Sequence, residues 1–337
     1  MTKTVFVTGG AGYVGSHCCK AFAKAGWNVV TYDNLSRGWA DFVKWGPLIE
    51  GDILDADKLR NAIRETKPDV VAHFAALAYV GESVSDPALY YRVNLCGTLN
   101  LLETMRDEGV DQLVFSSTCA TYGDPEEMPI SETCEQRPVN PYGWSKLMVE
   151  RVLSDFGRAY GLRSVSLRYF NAAGADPEGE IGERHQPETH IIPLAIEAAR
   201  DESEFILTIF GKDFDTPDGT CVRDFIHVQD LAEAHLGALD YLQAAGDSCT
   251  LNLGTGRGHS VLEIVSAVTR VSGQPVRHAF GPRREGDPPI LIAAPKEAGD
   301  LLRWSARRSD LDSIVADALG WVRIDAQRQS MREGASR

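Results

Sequence analysis

A chain of 337 residues is long enough for two lobes sharing one extended fold and too short for three full domains. Its 48 acidic and 34 basic residues leave a formal charge of -14, which repels a nucleic-acid backbone unless a local basic stripe overcomes it, and the sequence shows no such stripe. Seven cysteines (Cys18, Cys19, Cys96, Cys119, Cys134, Cys221, Cys249) are scattered without a C-x-x-C pair, so they read as reduced thiols, and no metal site is assigned.

Met1 runs within a few residues into the apolar stretch Val5-Phe6-Val7, which leaves no room for a leader before a first strand. No apolar stretch approaches the roughly 18 residues that a membrane span needs. The expectation is a soluble protein of the cytoplasm without nucleic-acid or membrane partners.

In chain order, a β-branched strand at residues 4–7 is followed by a helix from 13 that ends by Gly26 and by a strand at 28–32. A strand at 48–50, a helix at 56–66 and a strand at 70–74 continue the alternation. Next come a helix at 88–107, a strand at 112–116, a helix at 141–160 opened by Pro141, and a strand at 164–168. Strands alternating with helices predict an α/β fold built on a doubly wound parallel sheet.

After Phe170 the texture changes to Gly, Pro and acidic loops at 174–188, 211–219 and 280–289, with short helices at 192–200 and 230–244. The division expected is residues 1–170 for the sheet domain, with a strand and helix return near 225–272, and 171–337 for a smaller, loop-rich C-terminal substrate lobe. Within that return, a strand at 250–253 and a helix at 260–271 are both expected to rejoin the first lobe.

Thr8-Gly9-Gly10-Ala11-Gly12-Tyr13-Val14-Gly15 lies where the first strand turns into the first helix. Gly9 permits the tight turn, Gly12 lets the backbone approach a pyrophosphate, and Gly15 lets helix and strand pack closely. The helix N-terminus then offers free N–H groups and partial positive charge to phosphates. Asp33 closes the second strand 18 residues after Gly15; a carboxylate there accepts from a ribose diol and repels a 2′-phosphate, which selects NAD over NADP. The sheet is thus of Rossmann type. Asp52 and Ile53, and Phe74, Ala75 and Ala76, follow strands three and four at the carboxyl edge where open α/β sheets bind ligands.

Tyr142 and Lys146 stand at i and i+4 on one face of the helix after Pro141. A free phenol titrates near ~10 and is a poor base at neutral pH, but a neighbouring cation, aided by a positive nicotinamide ring, favours the phenolate. Thr118 follows the fifth strand, so its hydroxyl is expected at the same edge as Tyr142. His73 and His227 lie in or beside apolar runs and read as structural, and Cys18 and Cys19 as packed against the sheet.

From these motifs onward the chain resembles the extended short-chain dehydrogenases and, among them, the UDP-glucose 4-epimerases. The segments that carry the resemblance are TGGAGYVGS from Thr8, HFAALAYVGES from His73, YYRVNLCGT from Tyr90, FSSTCATYG from Phe115, PYGWSKLMVE from Pro141, LRYFNAAGA from Leu167, VRDFIHVQDLA from Val222 and PRREGD from Pro282. The resemblance implies Tyr142 as acid and base, Lys146 on the nicotinamide ribose, and Thr118 on the sugar 4-hydroxyl. On the cofactor side it implies Gly9, Gly12, Tyr13, Val14, Gly15, Asp33, Asn34, Asp52, Ile53, Phe74, Ala75, Ala76, Asn94, Ser116 and Phe170. It places Arg223 and Arg284 on the diphosphate, Asp287 on the uridine ribose, Asn171 at the diphosphate–sugar linkage, Thr208 and Phe210 near the uracil, and Leu291 in the wall of the sugar pocket. Thr118 departs from the serine many epimerases carry, and Ala78 from a lysine found in some relatives.

The activity expected is interconversion of UDP-glucose and UDP-galactose through a 4-keto sugar with tightly bound NAD, in a homodimer paired through the helices at 88–107 and 141–160. A UDP-pentose 4-epimerase, a nucleotide-sugar dehydratase and a non-catalytic NAD-binding protein are the alternatives. The dehydratase is disfavoured because Cys119 and Ala120, not an acid, follow Thr118.

Overall fold

The computed structural model describes residues 2–284 and 286–335, so Glu285 of the charged loop lies outside the described residues. Seven parallel strands form the main sheet: β1 (Thr4–Thr8), β2 (Asn28–Asp33), β3 (Leu48–Glu50), β4 (Val70–His73), β5 (Gln112–Thr118) and β6 (Arg163–Tyr169), with a seventh strand from the second half of the chain. Val5, Phe6 and Val7 are fully buried, as a strand covered on both faces requires. Their side chains alternate: Val5 and Val7 join one core layer and Phe6 the other.

Helices follow the strands on both faces: α1 (Tyr13–Lys24), α2 (Ala56–Thr66), the short α3 (Val80–Ser85) and α4 (Pro87–Tyr90), α5 (Gly97–Glu108) and α6 (Pro141–Tyr160). Leu59, Ile63, Leu101, Met105, Val149 and Leu153 from α2, α5 and α6 fill one layer. Asn140 opens α6 by accepting from Gly143 N at 2.9 Å, with Pro141 in its first turn and Gly161 past its end at φ +76°.

The helix expected at 88–107 is interrupted. Tyr91–Cys96 winds as a π-helix between α4 and α5, with the Thr98 hydroxyl donating to the Asn94 carbonyl at 2.6 Å. A wider turn shifts which side chains face the sheet edge, and such insertions concentrate at functional sites. Here it carries Asn94 inward.

The second half contributes β7 (Asn171–Ala173), α7 (Ile191–Ala198), β8 (Leu207–Phe210), β9 (Val222–His227), α8 (Val228–Gln243), β10 (Cys249–Leu253), β11 (Gly258–Ser260), α9 (Val261–Ser272), β12 (His278–Gly281), β13 (Ile290–Leu291), α10 (Lys296–Leu302) and α11 (Leu311–Ala335). β10 completes the main sheet, whose order is β10-β6-β5-β4-β1-β2-β3. α8 packs beside α1, with Leu231, Ala238 and Leu239 in the layer that also holds Cys18, Cys19 and Phe22. So the expected return to the first lobe holds for the strand but fails for the helix at 260–271. α9 buries Ile264, Val265 and Val268 against Ile192 and Ile196 of α7 and Ile314 and Val315 of α11. A Ser260–Glu263 capping box starts the helix, and its apolar stripe finds its complement on α7 and α11.

A smaller sheet centres on β9, with β7 and β13 pairing parallel to it and β11 antiparallel, and β8 pairs with β12. Among the described residues, no helix is long and apolar enough to cross a membrane.

Candidate active site

Successive connections wind outward in opposite directions from β1 and β4, which are neighbours in the sheet. Their carboxyl ends therefore open a crevice at the topological switch point. The glycine turn sits there. A Cβ on Gly15 would lie 2.2 Å from the Gly9 carbonyl oxygen, and one on Gly9 2.5 Å from Ala75 N, so turn, helix and the β4 end pack to backbone distance. A Cβ on Gly12 would touch the Gly9 carbonyl oxygen at 3.3 Å and nothing else within 4 Å, which leaves the space above the turn open. No side chain caps Gly12 at the start of α1, so the first N–H groups of that helix remain for an anion.

Asp33 is buried at the end of β2, with Oδ2 accepting from Ala11 N at 3.0 Å and Oδ1 from Leu35 N at 2.8 Å. Burial raises its pKa, and those two N–H groups act against the rise. Asn34 donates to Asp52 Oδ2 at 2.9 Å, and Ile53 packs against Gly97 at the start of α5. Phe74 N and Ala75 N both donate to the Thr8 carbonyl, fixing the loop through Ala76 beside the glycine turn. Asn94 accepts from Leu77 N at 2.8 Å and donates to the Leu77 carbonyl and Ser145 Oγ, both at 3.0 Å. Both of its amide hydrogens are thus taken up in tying that loop to α6. An open glycine turn, an uncapped helix N-terminus and a buried carboxylate at the next strand end fit a dinucleotide.

At the end of β5, the Thr118 side chain lies beside Tyr142 on α6, and its hydroxyl accepts from Ala120 N at 3.2 Å. Lys146, 3% exposed, donates from Nζ to the Ser116 carbonyl at 2.8 Å and lies 4.9 Å from the Phe115 ring centroid. Burial pulls the Lys146 ammonium down to about 7, with Glu150 one turn along the helix opposing the drop. Burial pushes Tyr142 well above its ordinary value, and the Thr118 hydroxyl opposes this. The structure brings Thr118 and Tyr142 together at the β5 edge. The Lys146 ammonium is directed into the β5 backbone, and without the nicotinamide charge expected to aid it the partly buried phenol keeps its proton.

Arg223 on β9 pairs with Asp287 through Nη2, and its Nη1 donates to the Val222 carbonyl at 2.9 Å. Its chain neighbour Asp224 instead accepts from Thr255 N, Gly256 N and Ala293 N, buried beneath the second lobe. The Arg284 guanidinium stacks 4.1 Å from the Phe210 ring centroid, and Thr208 lies exposed two residues earlier on the same face of β8. Asn171 donates to the Asp224 carbonyl at 2.9 Å. Leu291 on β13 packs in a cluster with Phe170, Tyr122, Ile130 and Cys119, the residue after Thr118. That cluster joins the second lobe to the chemistry at the β5 edge. Cys119 itself is a protonated thiol, pushed up to about 12 by burial, so it supplies no acid after Thr118 at neutral pH.

His73 and His227, read as structural, are engaged within the protein. His73 bridges Thr8 Oγ1 at 2.6 Å and Thr98 Oγ1 at 2.8 Å; His227 Nδ1 accepts from Gln229 N and Nε2 lies 3.1 Å from Asp317.

A buried network behind the Tyr142 helix was missed in the sequence. Glu150 takes both arms of Arg168 at 2.6 and 2.9 Å and the Ser117 hydroxyl at 2.5 Å. Arg168 in turn donates to the Tyr122 hydroxyl, which donates to Asn252 Oδ1 on β10 at 2.8 Å. Bidentate pairing satisfies both buried charges and fixes α6 against three strands. The one available signal was spacing: Glu150 is four residues after Lys146 on the same helix face.

The geometry agrees with relatives. Residues 5–254 match the NAD dependent epimerase/dehydratase family. The chain belongs to that family. It is 51% identical over 319 residues to the UDP-glucose 4-epimerase of Rhizobium meliloti (strain 1021), covering 95% of this chain and 97% of that one. Its fold is similar to the crystal structure of UDP-glucose 4-epimerase from Brucella ovis in complex with NAD, at TM-score 0.92 and 51% identity over 94% of this chain and 98% of that chain. It is also similar to UDP-glucose 4-epimerase from Bifidobacterium longum in complex with NAD+ and UDP, at TM-score 0.91 and 36% identity over 96% and 99%.

Proposed function

We propose that this chain is a UDP-hexose 4-epimerase that interconverts UDP-glucose and UDP-galactose through a 4-keto sugar. The observation that carries this reading is the placing of Thr118, Tyr142 and Lys146 together at the carboxyl edge of β5 beside the switch-point crevice, with Leu291 of the second lobe and Cys119 packed against one apolar cluster there. NAD, when bound, would supply reversible two-electron oxidation at sugar C4 and the positive charge of its nicotinamide. The glycine turn with Tyr13 and Val14, Asp33, Asn34, Asp52, Ile53, residues 74–76 and Ser116 would hold it, with Asn94 acting through the loop it clamps and Phe170 closing the crevice floor.

Tyr142 accepts the proton of the 4-hydroxyl and returns it to the 4-oxygen once the keto sugar has presented its opposite face for the returning hydride, while Thr118 orients that hydroxyl toward the phenol. Lys146 would hold the nicotinamide ribose from a site already desolvated, where its charge acts more strongly on nearby groups than in water. Arg223 and Arg284 hold the diphosphate, Asp287 the ribose, Asn171 the sugar linkage, and Thr208 and Phe210 the uracil. The sheet domain then carries the redox chemistry, and the lobe after residue 170 holds a UDP moiety that stays fixed while the keto sugar turns over.

A homodimer paired through α5 and α6 is supported by Trp144 and Met148, exposed one helical turn apart on α6. A place in cytoplasmic galactose metabolism completes the reading. Incubating the purified protein with UDP-sugars and no added NAD tests it. UDP-galactose should form from UDP-glucose; a dehydrated 4-keto product reassigns the chain to elimination chemistry, and no turnover of any UDP-sugar removes the proposal.

A further inference from the structure

The strap at 174–190 crosses between the lobes directly over the glycine turn. The Tyr13 hydroxyl donates to the Gly174 carbonyl at 2.6 Å, and Trp39 and Trp321 donate from Nε1 to the Arg184 and Glu183 carbonyls, each at 2.8 Å. Its far end, His190, is the residue from which α7 starts. Between these anchors Glu183, His185, Glu188 and His190 turn one donor atom each toward a common point, all within 4.8 Å of one another.

Two of those donors are buried with no hydrogen-bond partner, Glu183 Oε1 and His185 Nδ1, and the Glu183 side chain is 6% exposed. The orphaned atoms are not far from other groups. Glu183 Oε1 lies 2.6 Å from His190 Nδ1 and 3.2 Å from His185 Nδ1; His190 Nδ1 lies 3.1 Å from Glu188 Oε1, and His185 Nδ1 3.7 Å from Glu188 Oε2. Of these contacts only His190 Nδ1–Glu188 Oε1 has hydrogen-bond geometry; the others leave Glu183 Oε1 and His185 Nδ1 unsatisfied, and an unsatisfied buried carboxylate oxygen is costly. Tetrahedral zinc with bonds of about 2.0–2.1 Å sets its ligands about 3.3 Å apart, and the four separations bracket that edge.

We infer that Glu183, His185, Glu188 and His190 form a structural zinc site that staples the strap over the dinucleotide cradle. Two imidazoles and two carboxylates make a neutral closed site with Zn2+, and imidazole nitrogen disfavours calcium and magnesium. The set holds no cysteine, so the absence of C-x-x-C pairs in the sequence did not bear on it. The ion would tie the turn that grips Tyr13 to the start of α7 without entering the chemistry at Tyr142.

The test is metal content of the full chain, expressed without a polyhistidine tag in zinc-supplemented medium and passed through gel filtration. About one zinc per chain is expected, falling at least about tenfold in Glu183→Gln/His190→Ala. Because that variant could fold poorly, the parent is also dialysed against chelator and titrated with Co2+, which should give the visible bands of tetrahedral cobalt at about one equivalent. Zinc below about 0.1 per chain together with no cobalt band overturns the site, as does full zinc retention by a folded Glu183→Gln/His190→Ala variant.

Discussion

Lys146 Nζ donates to the Ser116 carbonyl at 2.8 Å in the buried floor of the crevice, so its charge is held by the backbone of β5 and not by a carboxylate. Burial lowers its pKa to about 7, against about 10.4 in an unfolded chain. Between those values the unfolded state binds the extra proton, so stability rises with pH, and below about 7 the full cost of the buried ammonium is present. NAD-free Lys146→Met should therefore melt a few °C above the parent at pH 6–7 and lose that advantage towards pH 10, while its epimerase activity collapses. Thermal melts across this range decide it; a destabilised variant at pH 6 would contradict the burial argument.

Tyr142→Phe removes one hydroxyl and leaves the ring packing of α6 in place. Turnover should fall by a factor of about 10² to 10⁴, the usual share of a positioned acid and base, with NAD and UDP affinity retained. If steady-state kinetics give a kcat near the parent value, another group carries the proton.

Arg284, stacked on Phe210, is proposed to meet the diphosphate with a charge-assisted hydrogen bond of roughly 1.5–3 kcal/mol. Arg284→Ala should raise the UDP dissociation constant by about 10- to 150-fold, and Phe210→Leu by less, since it loses only the platform. Calorimetry with UDP reads both. Unchanged affinity in Arg284→Ala would move the diphosphate elsewhere.

Leu291, packed against the cluster that holds Phe170 and Tyr122, is the proposed wall against an acetamido group. The parent should favour UDP-galactose over UDP-N-acetylgalactosamine in kcat/KM, and Leu291→Ser should narrow the ratio by about tenfold, the scale of one or two methylenes. Equal parent values would take Leu291 out of the pocket.

Acid sensitivity should come in part from His235, buried on α8 with its pKa lowered to about 4 by desolvation. Its Nδ1–H donates to the Leu231 carbonyl, and Nε2 has no partner. From pH 6.5 down to about 4 the unfolded chain takes up a proton the folded one refuses, so stability drops by about 1.4 kcal/mol per pH unit. Phe74 and Tyr169 already flank this ring, so His235→Phe should fold and show a shallower acid limb in denaturant titrations. A parallel limb would assign the sensitivity to other groups.

The first lobe was legible because its signals are local. Strand-turn-helix order, glycines at fixed offsets and Tyr142 four residues before Lys146 are all set by neighbours in the chain. Strand ends still shifted by one or two residues, as with β5 running two residues on to Thr118, because ladder partners extend a strand past its apolar run. What separated from the sequence reading was non-local. The π-turn at Tyr91–Cys96 exists because Asn94 must reach both Leu77 and Ser145, and nothing in 88–107 records those partners. α9 carries an apolar stripe that would suit either lobe, and only the complementary faces of α7 and α11 choose. Likewise residue types and spacing put a cation near Tyr142 without saying where it points; the Ser116 carbonyl, thirty residues away in sequence, decides that. Local chemistry determined which groups the protein has, and burial with long-range pairing determined which of them carry charge where the reaction occurs.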